Sequence, residues 1–289
     1  MVRIEMAIEL DYRVGSPGAD FVFNIHAAHT RCQTVVSEHL QISQPLLPEL
    51  YTDPASANRF LRLHAGPGNL QVGYRATIDL HHHLVPPEQI AEVPVERLPS
   101  SVLGYIYPSR YCQSDRLAAL AMAEFGPLRQ GYERVKAIEQ WVQRNVRFQS
   151  NTSNSNTSAL ETLIDRVGVC RDFAHLMIAL CRALSIPARF ATGTDYGADP
   201  VLGPTDFHAY VEVYLGNRWY IFDPSGTAIP MGFMRLGTGR DASDVAFATI
   251  FGSVQSEPPR IQVTALRDPT GRWVWPERTA LAVSTDTGG

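Results

Sequence analysis

Hydrophobic and polar residues alternate through most of the first eighty positions, a pattern typical of half-buried β-strands. In the first stretch the apolar positions share one parity: Ile4, Met6, Ile8, Leu10, Tyr12 and Val14. Gly15-Ser16-Pro17-Gly18 is expected to end this strand. The alternation returns over residues 70–80, and Gly66-Pro67-Gly68-Asn69 separates it from an apolar stretch at 59–64, which predicts a hairpin. We therefore expect an antiparallel N-terminal β domain, a small sandwich, over residues 1–85.

Proline interrupts the alternation after this domain. Four prolines fall in a stretch without helical period: Pro86, Pro87, Pro94 and Pro99. This composition predicts a linker over residues 86–107. His81-His82-His83 lies just before it, but consecutive strand residues point to opposite sides, so three such imidazoles do not converge on one ion. We expect a solvated strand end there and no metal site.

A helical period replaces the strand period in the second half of the chain. Apolar residues recur at helical spacing from Val135 to Val146 and from Phe173 to Leu184. These stretches predict two amphipathic helices, the second ended by Pro187. Cys170 lies in the first turn of that helix, where unpaired N–H groups and the helix dipole favour an anion, so a stabilised thiolate is expected. Taken alone, the cysteine also fits an inert core position.

A hairpin follows this helix, and its turn determines which residues share a face. The strand from Phe207 to Leu215 alternates, and Gly216-Asn217 is a two-residue turn signal before the return strand. In that register Tyr210 pairs with Asp223, so His208 and Asp223 lie on one face as diagonal neighbours, about 7–8 Å apart at the backbone. An aspartate in that position can hold an imidazole in one tautomer and stabilise its cation.

Four motifs around these residues resemble the core of the transglutaminase-like superfamily. They are Gly168-Val169-Cys170-Arg171-Asp172, Leu180-Cys181-Arg182-Ala183-Leu184-Ser185-Ile186-Pro187-Ala188-Arg189, His208-Ala209-Tyr210-Val211-Glu212-Val213-Tyr214 and Trp219-Tyr220-Ile221-Phe222-Asp223-Pro224. The resemblance covers residues 110–226 and implies an α+β, papain-like fold in which a helix packs on an antiparallel sheet. The N-terminal part and Gly239-Arg240-Asp241-Ala242 also resemble a bacterial branch that includes candidate cysteine proteases. We expect this core, with a C-terminal extension, to occupy residues 108–289.

The resemblance implies thiol chemistry on amide bonds. Cys170 is expected to form a thioester with a peptide or glutaminyl carbonyl, His208 to donate a proton to the departing amine, and Asp223 to orient His208. Hydrolysis, deamidation and crosslinking share the thioester, so all three stay open. Tyr210 stands where crosslinking enzymes often have tryptophan. Tyr210 and Trp219 share the face of His208. They are expected either to bind substrate or simply to pack.

Composition and charge narrow the class of protein further. Hydrophobic residues make up 45% of the 289 residues and charged ones 19%, which indicates a globular chain. The formal charge of −4 and the pI of about 6.1 give no electrostatic case for nucleic acid. No apolar run reaches membrane-spanning length, and no signal-peptide core precedes the first strand. We expect a cytoplasmic protein that acts on a peptide or protein substrate without a cofactor.

Two other classes of function fit parts of the sequence. A binding or scaffold module that kept the papain-like core would account for the β domain and the linker. A thiol-redox protein would need a Cys-x-x-Cys pair, and the four cysteines show no such spacing. Their spacing favours reduced thiols over a disulfide framework.

Three polar segments remain, and each has an expected structural role. The Asn- and Ser-rich loop at 149–157 precedes the cysteine and is placed to rim the site. The segment from Arg240 to Asp244 either covers the cleft or caps a turn, and the turn is the preferred interpretation. The tail at 284–289 is expected to fray.

Overall fold

The computed structural model describes residues 1–197, 205–284, 286 and 287, and confirms the predicted α+β fold class. The strands, numbered in chain order, are β1 (Val2–Phe23), β2 (Gln33–Ile42), β3 (Glu49–Thr52), β4 (Arg59–Ala65), β5 (Gly68–Leu80), β6 (His83–Val85), β7 (Arg147–Phe148), β8 (Val167–Gly168), β9 (Ala188–Asp195), β10 (His208–Leu215), β11 (Arg218–Phe222), β12 (Phe233–Gly239), β13 (Ala248–Ser256), β14 (Arg260–Leu266), β15 (Ala282–Ser284) and β16 (Asp286–Thr287). The α-helices are α1 (Ser100–Leu103), α2 (Ser114–Phe125), α3 (Tyr132–Asn145), α4 (Ala159–Asp165) and α5 (Cys170–Ala183).

The N-terminal domain is an antiparallel sheet organised around β1, in the order β2-β5-β1-β4-β3. β1 pairs with β5 from Val2↔Leu80 to Val14↔Gly68, so the alternation read from the sequence is the alternation of buried and exposed faces. One parity of β1 is almost fully buried and forms the core of this domain. The two strands predicted on either side of Gly66–Asn69 are present as β4 and β5, but the predicted hairpin is wrong, because both strands pair with β1, which lies between them in the sheet.

The predicted end of the first strand at Gly15–Gly18 is wrong. β1 continues to Phe23, with a shift of register between Val14 and Ala19 where it pairs with β13. An irregularity of this kind bends a strand without ending it. The bend lets the second half of β1 pair with β4 while the first half pairs with β5.

The C-terminal extension returns to the N-terminal sheet. β13 pairs with the second half of β1 through Phe21↔Ile250, and β14 pairs with the first half through Met6↔Val263. Residues 248–266 therefore belong to the sheet of the β domain, although they follow the core in the chain.

The core consists of a five-stranded antiparallel sheet in the order β12-β9-β10-β11-β16, with α5 packed against β9 and β10. α2, α3 and α4 pack around α5, whose residues from Phe173 to Cys181 are buried. The core places the first residue of α5 near the start of β10. This is the predicted helix-on-sheet arrangement.

The hairpin of β10 and β11 has the register predicted from its turn. Val211 pairs with Phe222, and Leu215 pairs with Arg218. Gly216 and Asn217 have φ angles of 53° and 64°, which a two-residue turn between twisted strands requires. The register therefore follows from these two residues, because one residue more or less would reverse every side chain.

The sequence predicts that the tail at 284–289 frays, but part of it is paired in strands. Ala282–Ser284 pairs with β6, and Asp286 enters the edge of the core sheet opposite Trp219. The linker contains the short helix α1 and two single 3-10 turns at Pro87–Gln89 and Val95–Arg97. Among the described residues no helix is long and apolar enough to cross a membrane.

Candidate active site

Cys170 is the first residue of α5, and its side chain is half-buried. The buried carboxylate of Asp172 accepts the backbone N–H of Val169 at 2.9 Å, which satisfies one of the unpaired donors at the start of the helix. Gly168 is required by this arrangement, since a Cβ there would lie 2.7 Å from the Cβ of Asp172. Asp172 thus caps the start of α5 and fixes the position of the cysteine.

The polar loop at 149–157 reaches the same helix end. The hydroxyl of Ser153 donates to Asp172 at 2.9 Å, and the guanidinium of Arg171 donates to the backbone oxygen of Asn154 at 2.6 Å. The loop therefore lies against the residues that flank Cys170, as its place in the sequence predicts.

His208 and Asp223 are in contact. Nε2 of His208 lies 3.2 Å from Oδ1 of Asp223, and both side chains are almost fully buried. The contact uses Nε2 and leaves Nδ1 as the ring nitrogen that Asp223 does not bind. Asp223 is itself fixed, because its carboxylate also accepts hydrogen bonds from the N–H and hydroxyl of Ser225 and the N–H of Ala228.

The sulfur of Cys170 meets the backbone one residue after His208. The N–H of Ala209 hydrogen-bonds this sulfur. The pairing between β10 and β11 stops at Val211↔Phe222. The strand ladder with β11 therefore does not extend to Ala209. The fold thus brings the thiol, the imidazole and the carboxylate into one small region from three separate segments.

Burial acts on the thiol against the direction expected from the helix end. Burial raises the pKa of Cys170 to about 12, and the charges of Asp223 and Asp206 act in the same direction. The N–H groups of Ala209 and Arg171 favour the thiolate but do not outweigh burial. Burial therefore favours the neutral thiol of Cys170 and opposes the stabilised thiolate expected from the helix end.

The pKa of His208 is shifted in the direction that suits a proton acceptor. Burial alone would lower the pKa of His208, but the hydrogen bond and charge of Asp223 outweigh it, with help from the charges of Asp195 and Asp206. The pKa of His208 is therefore raised above its ordinary 6.5. For Asp223 burial also opposes the charged form, and the contact with His208 and Ser225 holds its pKa below the usual range.

Tyr210 supports the imidazole from the side. Its ring is fully buried, contacts the His208 ring at 4.5 Å between centroids, and packs on Phe233 at 4.1 Å. Its hydroxyl donates to Oδ2 of Asp195 at 3.2 Å. Tyr210 therefore packs against the imidazole inside the protein, and in this structure it does not line an open groove.

Trp219 lies in another part of the core. It is opposite Tyr214 in the hairpin, and its ring is covered by Tyr105 and by the guanidinium of Arg189, which lies 4.1 Å from the ring centroid. Trp219 borders a cavity of about 500 Å³ between the β domain and the core. The structure does not bring it to His208, and its part in substrate binding stays a prediction.

The segment from Arg240 to Asp244 has a structural role. Asp241 accepts the N–H of Ser243 and caps a 3-10 turn, and it also accepts the N–H of Tyr111 at 3.0 Å. The N–H of Ala242 donates to His175 on α5 at 3.2 Å. The preferred interpretation of this segment as a capped turn is confirmed.

Three carboxylates near the site were missed by sequence reasoning, namely Asp195, Asp206 and Glu139. Asp195 and Asp206 act on His208 through their charges. Glu139 accepts the backbone N–H of Asp223. One signal was available for Glu139, because it occupies the apolar stripe of α3 between Val135 and Val142, where a carboxylate needs an explanation.

Two family models match the chain. The transglutaminase-like superfamily matches residues 120–224, and the bacterial transglutaminase N-terminal domain matches residues 2–101. A protein of Cytophaga hutchinsonii, whose crystal structure is described as that of a candidate cysteine protease, is 38% identical in sequence. The alignment covers 98% of this chain and 97% of that one, with a TM-score of 0.89. The chain belongs to the transglutaminase-like superfamily.

Two mycobacterial proteins are similar in sequence to parts of this chain. A protein of Mycobacterium leprae is 32% identical over 117 residues, which are 39% of this chain and 42% of the relative. A protein of Mycobacterium bovis is 28% identical over 236 residues, which are 77% of this chain and 65% of the relative. The chain thus spans less than two thirds of either relative. At the level of the family, the comparisons support a thiol-dependent hydrolase or acyltransferase.

Proposed function

We propose that the protein cleaves or transfers acyl groups at amide bonds of peptide or protein substrates, with Cys170, His208 and Asp223 as a catalytic triad. The observation that carries the proposal is the hydrogen bond between His208 and Asp223, next to the thiol at the start of α5. Membership of the transglutaminase-like superfamily supports it. Asp223 orients the imidazole, and the imidazole acts on the thiol.

In this proposal His208 acts in the first step, and the raised pKa of the thiol supports that role. Cys170 starts as a thiol, and His208 removes its proton as the sulfur attacks the amide carbon, so a carbon–sulfur bond forms. The protonated His208 then donates to the amide nitrogen, the carbon–nitrogen bond breaks, and an amine leaves. The product is a thioester on Cys170.

The thioester is resolved by an acceptor that carries a proton. Water gives a carboxylic acid, and a primary amine gives a new amide; in both cases His208 takes the proton of the acceptor and returns one to the sulfur. The backbone N–H of Cys170 is the proposed donor to the oxyanion, since it lies in the first turn of α5. If the acceptor is water, a peptide amide is hydrolysed or a glutaminyl carboxamide is deamidated.

A non-catalytic scaffold is the second proposal, supported by the size of the β domain, whose sheet also takes in β13 and β14 through their pairing with β1. One experiment separates the two functions. The whole protein is incubated with a peptide library and with glutamine-containing peptides plus a primary amine, and the products are identified by mass spectrometry. Cys170→Ala is the matched control, because it removes only the sulfur.

The proposal predicts cleaved, deamidated or amine-linked products that depend on Cys170. Equal product formation by Cys170→Ala would contradict it. A folded wild-type protein that retains peptides but converts none of them would favour the scaffold.

A further inference from the structure

Helix α3 holds the backbone of Asp223 with two side chains spaced one helical turn apart. Oε1 of Glu139 accepts the backbone N–H of Asp223 at 3.0 Å. The side-chain amide of Gln143 donates to the backbone oxygen of Asp223, also at 3.0 Å. Residues four apart on a helix lie on the same face, so both groups reach the same peptide segment. We name Glu139 and Gln143 the Asp223 clamp.

The clamp replaces hydrogen bonds that the sheet does not supply. Asp223 lies one residue beyond the end of β11, and the pairing with β10 has already stopped at Val211↔Phe222. Pro224 follows and has no N–H of its own to continue a ladder. A buried backbone N–H without a partner is costly, so a partner from another element is needed at Asp223.

Glu139 is an unusual residue for the position that it occupies. Its side chain is only 4% exposed, and it lies between apolar neighbours of α3 that face the core. A buried carboxylate is costly unless it is paired and hydrogen-bonded. Lys136, one turn earlier and partly exposed, forms an ion pair with the second oxygen of Glu139. Both oxygens of Glu139 are therefore used, one for the counter-charge and one for Asp223.

We propose that Glu139 is a positioning residue for the reaction, which acts on His208 through the backbone of Asp223, with Gln143 as the second half of the clamp. Without the clamp, the carboxylate of Asp223 would retain its contacts with Ser225 and Ala228 but lose the anchor of its own peptide unit. The distance between Asp223 and His208 would then vary more. This inference rests on the proposed function for its effect on catalysis, but not for its effect on the imidazole.

The test uses the whole protein with Glu139→Leu, Glu139→Gln and Gln143→Met. Glu133→Leu is the matched control, since Glu133 is an exposed carboxylate on the same helix. Two quantities are measured: the pH titration of the His208 ring by NMR, and the rate at which iodoacetamide alkylates Cys170 as a function of pH. Thermal unfolding and circular dichroism show which variants fold.

Loss of one hydrogen bond at Asp223 predicts a slowing of Cys170 alkylation by about threefold to tenfold in Glu139→Leu, compared at a pH above the His208 titration, where the imidazole is neutral in both proteins. The His208 titration moves to lower pH in this variant, because the cation is held less firmly. Glu139→Gln keeps an oxygen acceptor and shows a smaller change, and Gln143→Met shows a change in the same direction. Glu133→Leu behaves as wild type.

A folded Glu139→Leu variant with the wild-type His208 titration and alkylation rate would overturn the inference. If Glu139→Leu does not fold, Glu139→Gln and Gln143→Met decide the matter, and wild-type behaviour of both overturns it. The failure of the proposed function has a different signature. In that case His208→Ala would leave the alkylation of Cys170 unchanged, while the His208 titration would still respond to the clamp.

Discussion

Nε2 of His208 lies 3.2 Å from Oδ1 of Asp223, although the two residues are separated by 15 positions in the chain. The contact exists because a two-residue turn at Gly216 and Asn217 sets the register of the hairpin. His208 is the first residue of β10, and Asp223 comes directly after the last residue of β11. The proposed chemistry depends on this pair, since it determines where the proton of Cys170 can go.

Replacement of Asp195 by Asn should move the pH dependence of the site to lower pH. The charge of Asp195 contributes to the raised pKa of His208, so its removal lowers that pKa. The reactive state contains a neutral imidazole that can accept the thiol proton. Alkylation of Cys170 by iodoacetamide should therefore reach its half-maximal rate at a lower pH than in the wild type.

Tyr210→Phe is the companion variant for this prediction. It keeps the ring that packs on His208 and removes the hydroxyl that donates to Asp195. The pH of half-maximal alkylation is expected to shift less in Tyr210→Phe than in Asp195→Asn. A shift to higher pH in Asp195→Asn would show that the carboxylate does not favour the imidazolium.

Asp172→Ala should destabilise the start of α5 and loosen the loop before it. The side chain is fully buried and accepts hydrogen bonds from Val169 and Ser153. Loss of a helix cap costs about 0.5–2 kcal/mol, and this one also leaves a loop contact unmade. A lower midpoint in chemical denaturation measures the effect. Asp165→Ala, an exposed carboxylate at the end of α4, is expected to cause no such loss.

Asp286→Asn should destabilise the protein at neutral pH. Burial alone would raise the pKa of Asp286, but the charges of Arg235 and Arg189 outweigh it and hold the pKa below the usual 3.8. A carboxylate with a lowered pKa contributes stability above its unfolded pKa, and the contribution is lost as the pH falls through the folded pKa. The loss in Asp286→Asn is expected to be about 1–3 kcal/mol.

The same variant has a second consequence at acid pH. Because the substituted side chain no longer titrates, the difference in the free energy of unfolding between wild type and Asp286→Asn should shrink as the pH falls below 4. Denaturant titrations at neutral and acid pH measure this difference. An equal difference at both would mean that the ion pairs with Arg189 and Arg235 carry none of the stability.

The hairpin of β10 and β11 and the start of α5 show what the sequence can predict. Gly216-Asn217 specifies a turn type, and the turn specifies the register, so the shared face of His208 and Asp223 follows from local rules. The position of Cys170 in the first turn of α5 likewise follows from the pattern of an amphipathic helix that begins there. These features depend on residues close together in the chain, and the structure confirms them.

The rest of the site depends on contacts between distant segments. The approach of Glu139 to Asp223 arises from the packing of α3 against the core, and no local pattern specifies that distance. The return of β14 to β1 also depends on which sheet accepts a late strand. Burial of Cys170 opposes the effect on its pKa that the helix end predicts. The sequence does not show this, because the desolvation comes from distant segments that pack around the thiol.

The pH profile of Cys170 alkylation in wild type and His208→Ala tests the central claim most directly. The other three cysteines are buried, and peptide mapping assigns the label. The account predicts that the wild-type rate rises through a midpoint above pH 6.5, the ordinary pKa of histidine, because the imidazole must be neutral to accept the thiol proton. In His208→Ala the rate at pH 7 should fall about a hundredfold and rise only near the raised pKa of the thiol itself. Identical profiles for the two proteins would contradict the account.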